Sequence, residues 1–215
     1  MRYQRHHISK EELQALPVQV FEGQVVVIET LQQAEEAVAY LRRNRRVGVD
    51  TESRPSFTRG VHYPTALVQI ADHKRCYLFR LTHIGMPQVL ADFFADENIC
   101  KVGLAFRDDI NGLRRRHDFI PANCIDIQKL FAICFGRKIS KSQQLTNWEN
   151  SHLTQEQARY ASTDAWATLL IYEDLLRHEP LAPEEVAALQ REEKERMIEH
   201  QQQVLPTAKI MFFPI

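Results

Sequence analysis

Two carboxylates close the stretch Val47-Gly48-Val49-Asp50-Thr51-Glu52. The residues before them are apolar and β-rich, so the stretch is predicted to be a strand. Positions i and i+2 of a strand share a face, which would set Asp50 and Glu52 side by side. Like charges so placed repel unless a cation lies between them. No Arg or Lys occurs between Val47 and Ser53. A divalent metal such as Mg2+ is the better candidate, because hard cations take carboxylate oxygens. The alternative is a strand that ends in a solvated acidic turn.

Two further segments bear on that choice. Near the other end stands Tyr160-Ala161-Ser162-Thr163-Asp164. Thr154 and Gln157 form a T-x-x-Q capping box that opens a helix here. Ala158, Ala161, Ala165, Leu169 and Tyr172 then recur at helical spacing. Tyr160 and Asp164 are i and i+4 and stack on one edge. Ala161 and Ala165, one position further round, let the helix approach a sheet closely. The plainer reading is a half-buried Tyr bonded to a neighbouring acid. The second segment runs from Lys101 to Leu113, where a short apolar strand gives way to a helix with Asp108 and Asp109 in its first turn. Acids there often just complement the helix dipole.

Taken in order, the three segments resemble the DEDDy class of 3′-5′ exonucleases. This class includes ribonuclease D, the Werner-syndrome exonuclease domain and the proofreading domain of family A DNA polymerases. The class has D-x-E on a strand, an Asp opening a later helix, and Y-x-x-x-D on a C-terminal helix. Here these read Asp50-Thr51-Glu52, Asp109 and Tyr160 with Asp164. Leu67-Val68-Gln69-Ile70 resembles the second strand of the class. The sister class carries His five residues before its last Asp, where this chain has Arg159. Asp108 and Asp109 both stand near the second motif. Members of the class usually carry this Asp four residues before an apolar residue on the same helical edge, so the resemblance selects Asp109, followed by Leu113, over Asp108, followed by Gly112. The resemblance extends over about residues 24 to 178. It implies a ribonuclease H-like α/β fold, a mixed β-sheet flanked by helices.

The resemblance also implies the chemistry. Phosphodiester hydrolysis needs a nucleophilic water, an in-line leaving oxygen and neutralisation of phosphorane charge. Two divalent ions about 3.5–4 Å apart can provide all three. By the resemblance Asp50 bridges two Mg2+ or Mn2+ ions, Glu52 and Asp164 complete the shell of the first, and Asp109 holds the second. Tyr160, with a reference pKa near ~10, is a poor base at neutral pH, and its hydroxyl is expected to orient the attacking water. The products would be nucleoside 5′-monophosphates, released from the 3′ end of DNA or RNA. The loop after Glu52 lines the terminal-nucleotide pocket in the class. On that reading Phe57 would stack on a base, and Arg54 or Arg59 would meet a phosphate. An ordinary loop is the alternative. The rival function is a nucleic-acid-binding or scaffolding domain without turnover, against which the presence of all four acids and the Tyr argues.

Other chemistries lack their motifs. The nine His residues show no H-x-x-x-H or H-E-x-x-H zinc spacing. No phosphate loop of the G-x-x-x-x-G-K-[ST] kind and no G-x-S-x-G elbow occurs. Cys76, Cys100, Cys124 and Cys134 include no C-x-x-C pair, and three lie in apolar runs, as buried reduced thiols would.

A chain of 215 residues that is 44% hydrophobic can bury one sizeable core. No apolar run nears the roughly 20 residues that span a bilayer, and the N-terminal stretch lacks a signal-peptide core. A cytoplasmic enzyme without membrane contact is expected. The net charge of -1 advertises no global affinity for nucleic acid, but metals could carry most of the phosphate contact. Arg42-Arg43-Asn44-Arg45-Arg46 and Arg114-Arg115-Arg116 are local basic clusters that either track phosphate or end helices, with Arg45 and Arg46 at a helix C-terminus.

The elements that must position these residues follow from pattern. Residues 1–23 are expected to form an extension with a short helix over Ser9–Leu16. Residues 24–180 would, by the resemblance, form the exonuclease domain. Its strands are expected at Gln24–Glu29, Arg46–Asp50, Ala66–Ala71, Cys76–Arg80, Ile99–Leu104 and Cys124–Ile127, with Ala66–Ala71 and Cys76–Arg80 pairing antiparallel. Thr30 and Gln33 make a second capping box, opening a helix with Ala34, Ala37, Val38 and Leu41 inward. Further helices are expected at Pro87–Phe94, after Leu104, at Phe131–Phe135, at Lys141–Trp148, and from Thr154 to about His178. Residues 181–215 form a charged helix and an apolar tail, Ile210 to Ile215. That tail would dock on its own domain, on a second copy, or on a protein partner.

Overall fold

The alternating apolar runs become the strands of one mixed sheet, and the helical runs cover both of its faces. The computed structural model describes residues 18–58, 61–104, 106–127 and 145–177. In chain order the elements are β1 (Gln24–Ile28), α1 (Leu31–Leu41), β2 (Arg46–Ser53), β3 (Thr65–Ala71), β4 (Arg75–Arg80), α2 (Leu81–Ile84), α3 (Gln88–Ala95), β5 (Cys100–Gly103), α4 (Phe106–Arg114), β6 (Cys124–Asp126) and α5 (Gln155–Leu175). All lie in one unit of residues 3–177, and the other unit, residues 1–2 and 178–215, falls outside the described residues.

The sheet order is β1-β4-β3-β2-β5-β6. β3 and β4 pair antiparallel, as expected, and β2 also pairs antiparallel to β3, while β1, β5 and β6 join parallel to their neighbours. Strand alternation divides the core. Val47, Val49, Val68, Ile70, Tyr77 and Phe79 face a layer built on α1, α3 and α4, with Leu41, Phe93, Phe94 and Leu113 among its buried members. Leu67, Ala71, Cys76 and Leu78 face the opposite layer, where Ala161 and Ala165 of α5 pack.

Both predicted capping boxes are present. The Thr30 hydroxyl accepts from the Gln33 amide at 3.2 Å, and the Gln33 side chain accepts from Thr30 N in return. At α5 the Thr154 hydroxyl accepts from Gln157 N at 3.1 Å, and the Gln157 side chain accepts from Thr154 N at 3.0 Å. The buried Gln157 side chain also donates to Thr146 and to the Asn147 carbonyl, which ties the preceding loop to the helix start.

Several boundaries differ from expectation. β2 continues through Ser53, because Asp50 through Ser53 keep pairing with β3; the register shifts only between Glu52 and Ser53. α1 ends at Leu41, so Arg42 caps it. Arg45 and Arg46 are not at its C-terminus: the Arg45 carbonyl accepts from Cys100 N, and Arg46 opens β2. The turn of helix α2 directly after β4 was not foreseen. Leu145 to Trp148 is turn rather than helix. The expected helices at Ser9–Leu16 and Phe131–Phe135, the rest of Lys141–Trp148, and the whole of residues 178–215 lie outside the described residues. Cys76 and Cys100 are buried thiols and Cys124 is half-buried.

Gly48 sets the distance between α5 and the sheet. A Cβ there would lie 1.8 Å from the Ala165 carbonyl oxygen and 2.8 Å from the Thr168 hydroxyl. The helix backbone therefore rests on the strand backbone, with small residues at the contact. The Thr168 hydroxyl reaches the Ala165 carbonyl at 2.7 Å and the Val102 carbonyl of β5 at 3.0 Å, and donates to one at a time. Overpacking of this kind costs typically about 1–3 kcal/mol. Gly48→Ala is expected to lower the unfolding free energy, read from the midpoint and slope of urea unfolding, by that amount, and an unchanged midpoint would show that α5 does not need this approach.

Candidate active site

The close approach of α5 delivers its acid to the strand acids. Gly48, Asp50 and Glu52 share the face of β2 that α5 covers. Oxygens of Asp50, Glu52 and Asp164 all lie within 4.8 Å of one another. Glu52 is buried, and Asp50 and Asp164 each keep a solvent-facing edge. Asp109 stands beside this set. Its carboxylate accepts from the Thr51 hydroxyl at 2.5 Å, which ties the first turn of α4 to β2. Its charge is felt by both Asp50 and Glu52. Asp108 is exposed, and Leu113 is fully buried on the edge that holds Asp109 inward. The structure thus brings Asp50, Glu52, Asp109 and Asp164 to one end of the β2/α5 contact.

Four acids so close disturb each other's ionisation. Burial, then the charges of Asp164, Asp109 and Glu52, hold the Asp50 carboxyl well above the ordinary carboxylate range. Burial, then the Asp164 and Asp109 charges, push Glu52 up to about 9. Tyr160 is buried on α5 and its hydroxyl bonds the Asp164 carboxylate. Burial, then the Asp164 and Glu52 charges, drive its ionisation far above the ordinary phenol value. The phenol therefore stays protonated and acts as a donor.

The site is braced from behind. Trp148 is buried with its ring centroid 6.1 Å from that of Tyr160. Arg80, 1% exposed, donates to Glu29 at 2.9 Å, to the Ser151 carbonyl at 2.5 Å and to the Asn150 carbonyl. It thereby pins the loop that carries Trp148 to the end of β4. The substrate-loop residues are more dispersed. The Arg54 guanidinium lies over the Tyr63 ring, 4.8 Å from its centroid, and 3.7 Å from the Glu149 carboxylate. Phe57 is 85% exposed, and Arg59 lies outside the described residues.

Sequence reasoning passed over Thr51, Trp148, Arg80 and Gln69. Gln69 is the most informative of them. It stands directly opposite Asp50 in the β2/β3 register. Its side chain is wholly buried, and neither amide atom has a partner. The available signal was a primary amide in the middle of Ala66-Leu67-Val68-Gln69-Ile70-Ala71, a strand with every other position apolar.

The donor set fits a divalent cation. It offers hard carboxylate oxygens, it is too crowded with like charge to ionise freely, and an unused amide lies next to it. No other His, Cys, Asp and Glu cluster with metal-holding spacing occurs among the described residues.

Comparison with known proteins places the chain among nucleases. Residues 25–134 and 127–178 match a family model described as 3′-5′ exonuclease. A "3′-5′ exonuclease" of Arabidopsis thaliana is 27% identical over 207 residues, covering 80% of this chain and 70% of that protein. "Exonuclease 3′-5′ domain-containing protein 2" of Drosophila melanogaster is 30% identical over 136 residues, covering 55% of this chain but only 23% of its own length. Among solved structures, ribonuclease D of Trypanosoma brucei in complex with RNA U12 superposes with a TM-score of 0.66. It is 19% identical, with coverage of 91% of this chain and 77% of that one. At that identity the likeness speaks for the fold, a ribonuclease H-like mixed sheet.

A carboxyl whose folded pKa lies above its unfolded value binds its proton more tightly in the fold. That stability is present below the ordinary Glu value of 4.5 and is lost as pH rises towards about 9. Without metal, the melting temperature should therefore carry a component that falls from about pH 5 to pH 9. Saturating Mg2+ should cancel it by binding the ionised folded site. A metal-free profile flat over this range in thermal melts would contradict the crowding of these acids.

Proposed function

The chain belongs to the 3′-5′ exonuclease family, and from that premise we propose that it hydrolyses the terminal phosphodiester bond of DNA or RNA 3′ ends, releasing nucleoside 5′-monophosphates. The observation that carries the reading is the convergence of Asp50, Glu52 and Asp164 oxygens within 4.8 Å, with Tyr160 bonded to Asp164 and the charge of Asp109 felt at Asp50 and Glu52. Two Mg2+ or Mn2+ ions, when bound, supply an activated water and neutralise charge on the transferred phosphoryl group.

The protein residues divide the remaining work. Asp50, Glu52 and Asp164 would hold the first cation. Asp109, held towards β2 by Thr51, would help to hold the second. Tyr160 remains a protonated donor, and its position against Asp164 suits it to orient the water for in-line attack. Arg54, with Phe57 and Arg59 on the same loop, is suited to meet the terminal nucleotide. Arg54 already lies between Tyr63 and Glu149, so engaging a phosphate would exchange one anionic partner for another. The likeness to an RNA-bound ribonuclease D supports RNA as well as DNA in the substrate class.

Digestion of 3′-labelled single-stranded and recessed DNA and RNA with Mg2+ or Mn2+ tests the proposal. Stepwise release of monophosphates is expected, with a 3′-phosphate terminus resisting attack. Cleavage inside a circular single strand would instead indicate an endonuclease. Asp50→Asn is expected to remove most turnover while the fold persists, because it relieves carboxylate repulsion; near-normal rates in this variant would remove Asp50 from the chemistry.

Tyr160→Phe separates two roles for the phenol. If the hydroxyl orients the water, turnover falls with metal and substrate affinity nearly unchanged, the mark of an interaction felt mainly in the transition state. One such donor is worth about 2–4 kcal/mol, or roughly 30- to 900-fold in rate. A loss below about twofold at saturating metal would mean that Tyr160 only packs α5 and steadies Asp164.

A further inference from the structure

Gln69 is hard to account for by folding alone. A wholly buried primary amide has two donor hydrogens and one acceptor oxygen, and leaving them unpaired is costly. In this structure neither Nε2 nor Oε1 is paired. The residues around it on its face of the sheet are mostly apolar. Leu67 and Ala71 flank it on β3, Leu78 stands opposite on β4, and Ala165 belongs to the helix layer above. On β2 its cross-strand neighbour is Asp50. Directly opposite residues in an antiparallel pair have Cβ atoms about 4.5–5.5 Å apart. A Gln side chain has three torsions with which to carry its amide across that gap. An apolar residue at this position would fill the space without the desolvation cost.

We propose that Gln69 is a positioning residue for the cation site, its Nε2 donating to a carboxylate oxygen of Asp50 when a divalent ion is bound. A cation uses one lone pair of each ligating oxygen and leaves others free. An amide donor beside Asp50 fixes the rotation of that carboxylate and satisfies a remaining lone pair. Outer partners of this sort are worth about 10–100-fold in metal affinity. The amide is uncharged, so it contributes no charge to an already crowded site. An unpaired buried amide is costly, and a bond from Gln69 Nε2 to Asp50 would recover part of that cost. The inference rests on the reading of Asp50, Glu52 and Asp164 as metal ligands, and it adds an outer residue to them.

The test sets metal affinity against metal-free stability. Gln69→Leu removes both polar atoms at similar volume, and Gln69→Met keeps the chain unbranched should Leu fit poorly. Free Mn2+ is titrated into each full-length protein and followed by electron paramagnetic resonance. Thermal melts are recorded in chelator. Both variants are expected to bind Mn2+ about tenfold or more weakly, while their metal-free melting temperatures stay level or rise. Affinity within twofold of the wild type in a folded variant overturns the proposal. So does weaker binding that accompanies a matching fall in metal-free stability, because that is the pattern of a packing residue. Failure of the wild type itself to bind Mn2+ would overturn the cation-site reading on which the proposal stands.

Discussion

The contact between the α5 backbone and the β2 backbone at Gly48 governs the geometry of this protein. No side chain separates the two at that point, and Ala161 and Ala165 keep the helix side equally thin. An acid on α5 can therefore sit among acids on β2. A helix packed on a sheet through larger residues would stand farther off, and Asp164 could not share a site with Asp50 and Glu52. The same contact is anchored on the neighbouring strand by the Thr168 hydroxyl, which reaches the Val102 carbonyl.

That approach creates an electrostatic conflict, and the surrounding structure contains it. Three carboxylates meet in a partly buried space, and a fourth is held against them through Thr51. Among the described residues no Lys or Arg relieves the conflict. It is left for a divalent cation, which fits the family's chemistry, and meanwhile the acids hold their protons more firmly than usual. Two described cationic side chains near this end of the fold, Arg80 and Arg54, are engaged elsewhere. Arg80 is spent on Glu29 and two loop carbonyls, and Arg54 lies between Tyr63 and Glu149. Keeping fixed cations out of the acid cluster preserves its affinity for a removable one.

The support for Tyr160 shows how distant parts of the sequence combine. Gln157 closes the helix cap and also binds Thr146 and Asn147. Arg80 grips Asn150 and Ser151, and Trp148 packs against the Tyr160 ring. The loop before α5 is thus fastened at the helix start, at the end of β4 and on the phenol itself. On the proposed role, a hydroxyl that orients one water benefits from a ring packed in place by its neighbours.

Much of the arrangement was legible from sequence because it is local. The i, i+2 spacing of Asp50 and Glu52, the i, i+4 spacing of Tyr160 and Asp164, and both capping boxes depend only on the periods of strand and helix. The choice of Asp109 over Asp108 needed the family pattern as well, in which an apolar residue such as Leu113 follows the Asp by four positions. Boundaries were less legible. β2 persists to Ser53 through pairing with β3, and Arg45 and Arg46 leave the helix because β2 and β5 claim their backbone. Partnerships across long separations were not visible at all. Nothing local places Gln69 opposite Asp50, Thr51 on Asp109, or Arg80 beneath the loop at Asn150. Those pairings follow from strand order and from the depth to which α5 settles on Gly48. Sequence alone determined which residues could do the chemistry, because their types and spacing follow from backbone geometry; only the tertiary structure decided what stands next to them, because that depends on how separate elements pack.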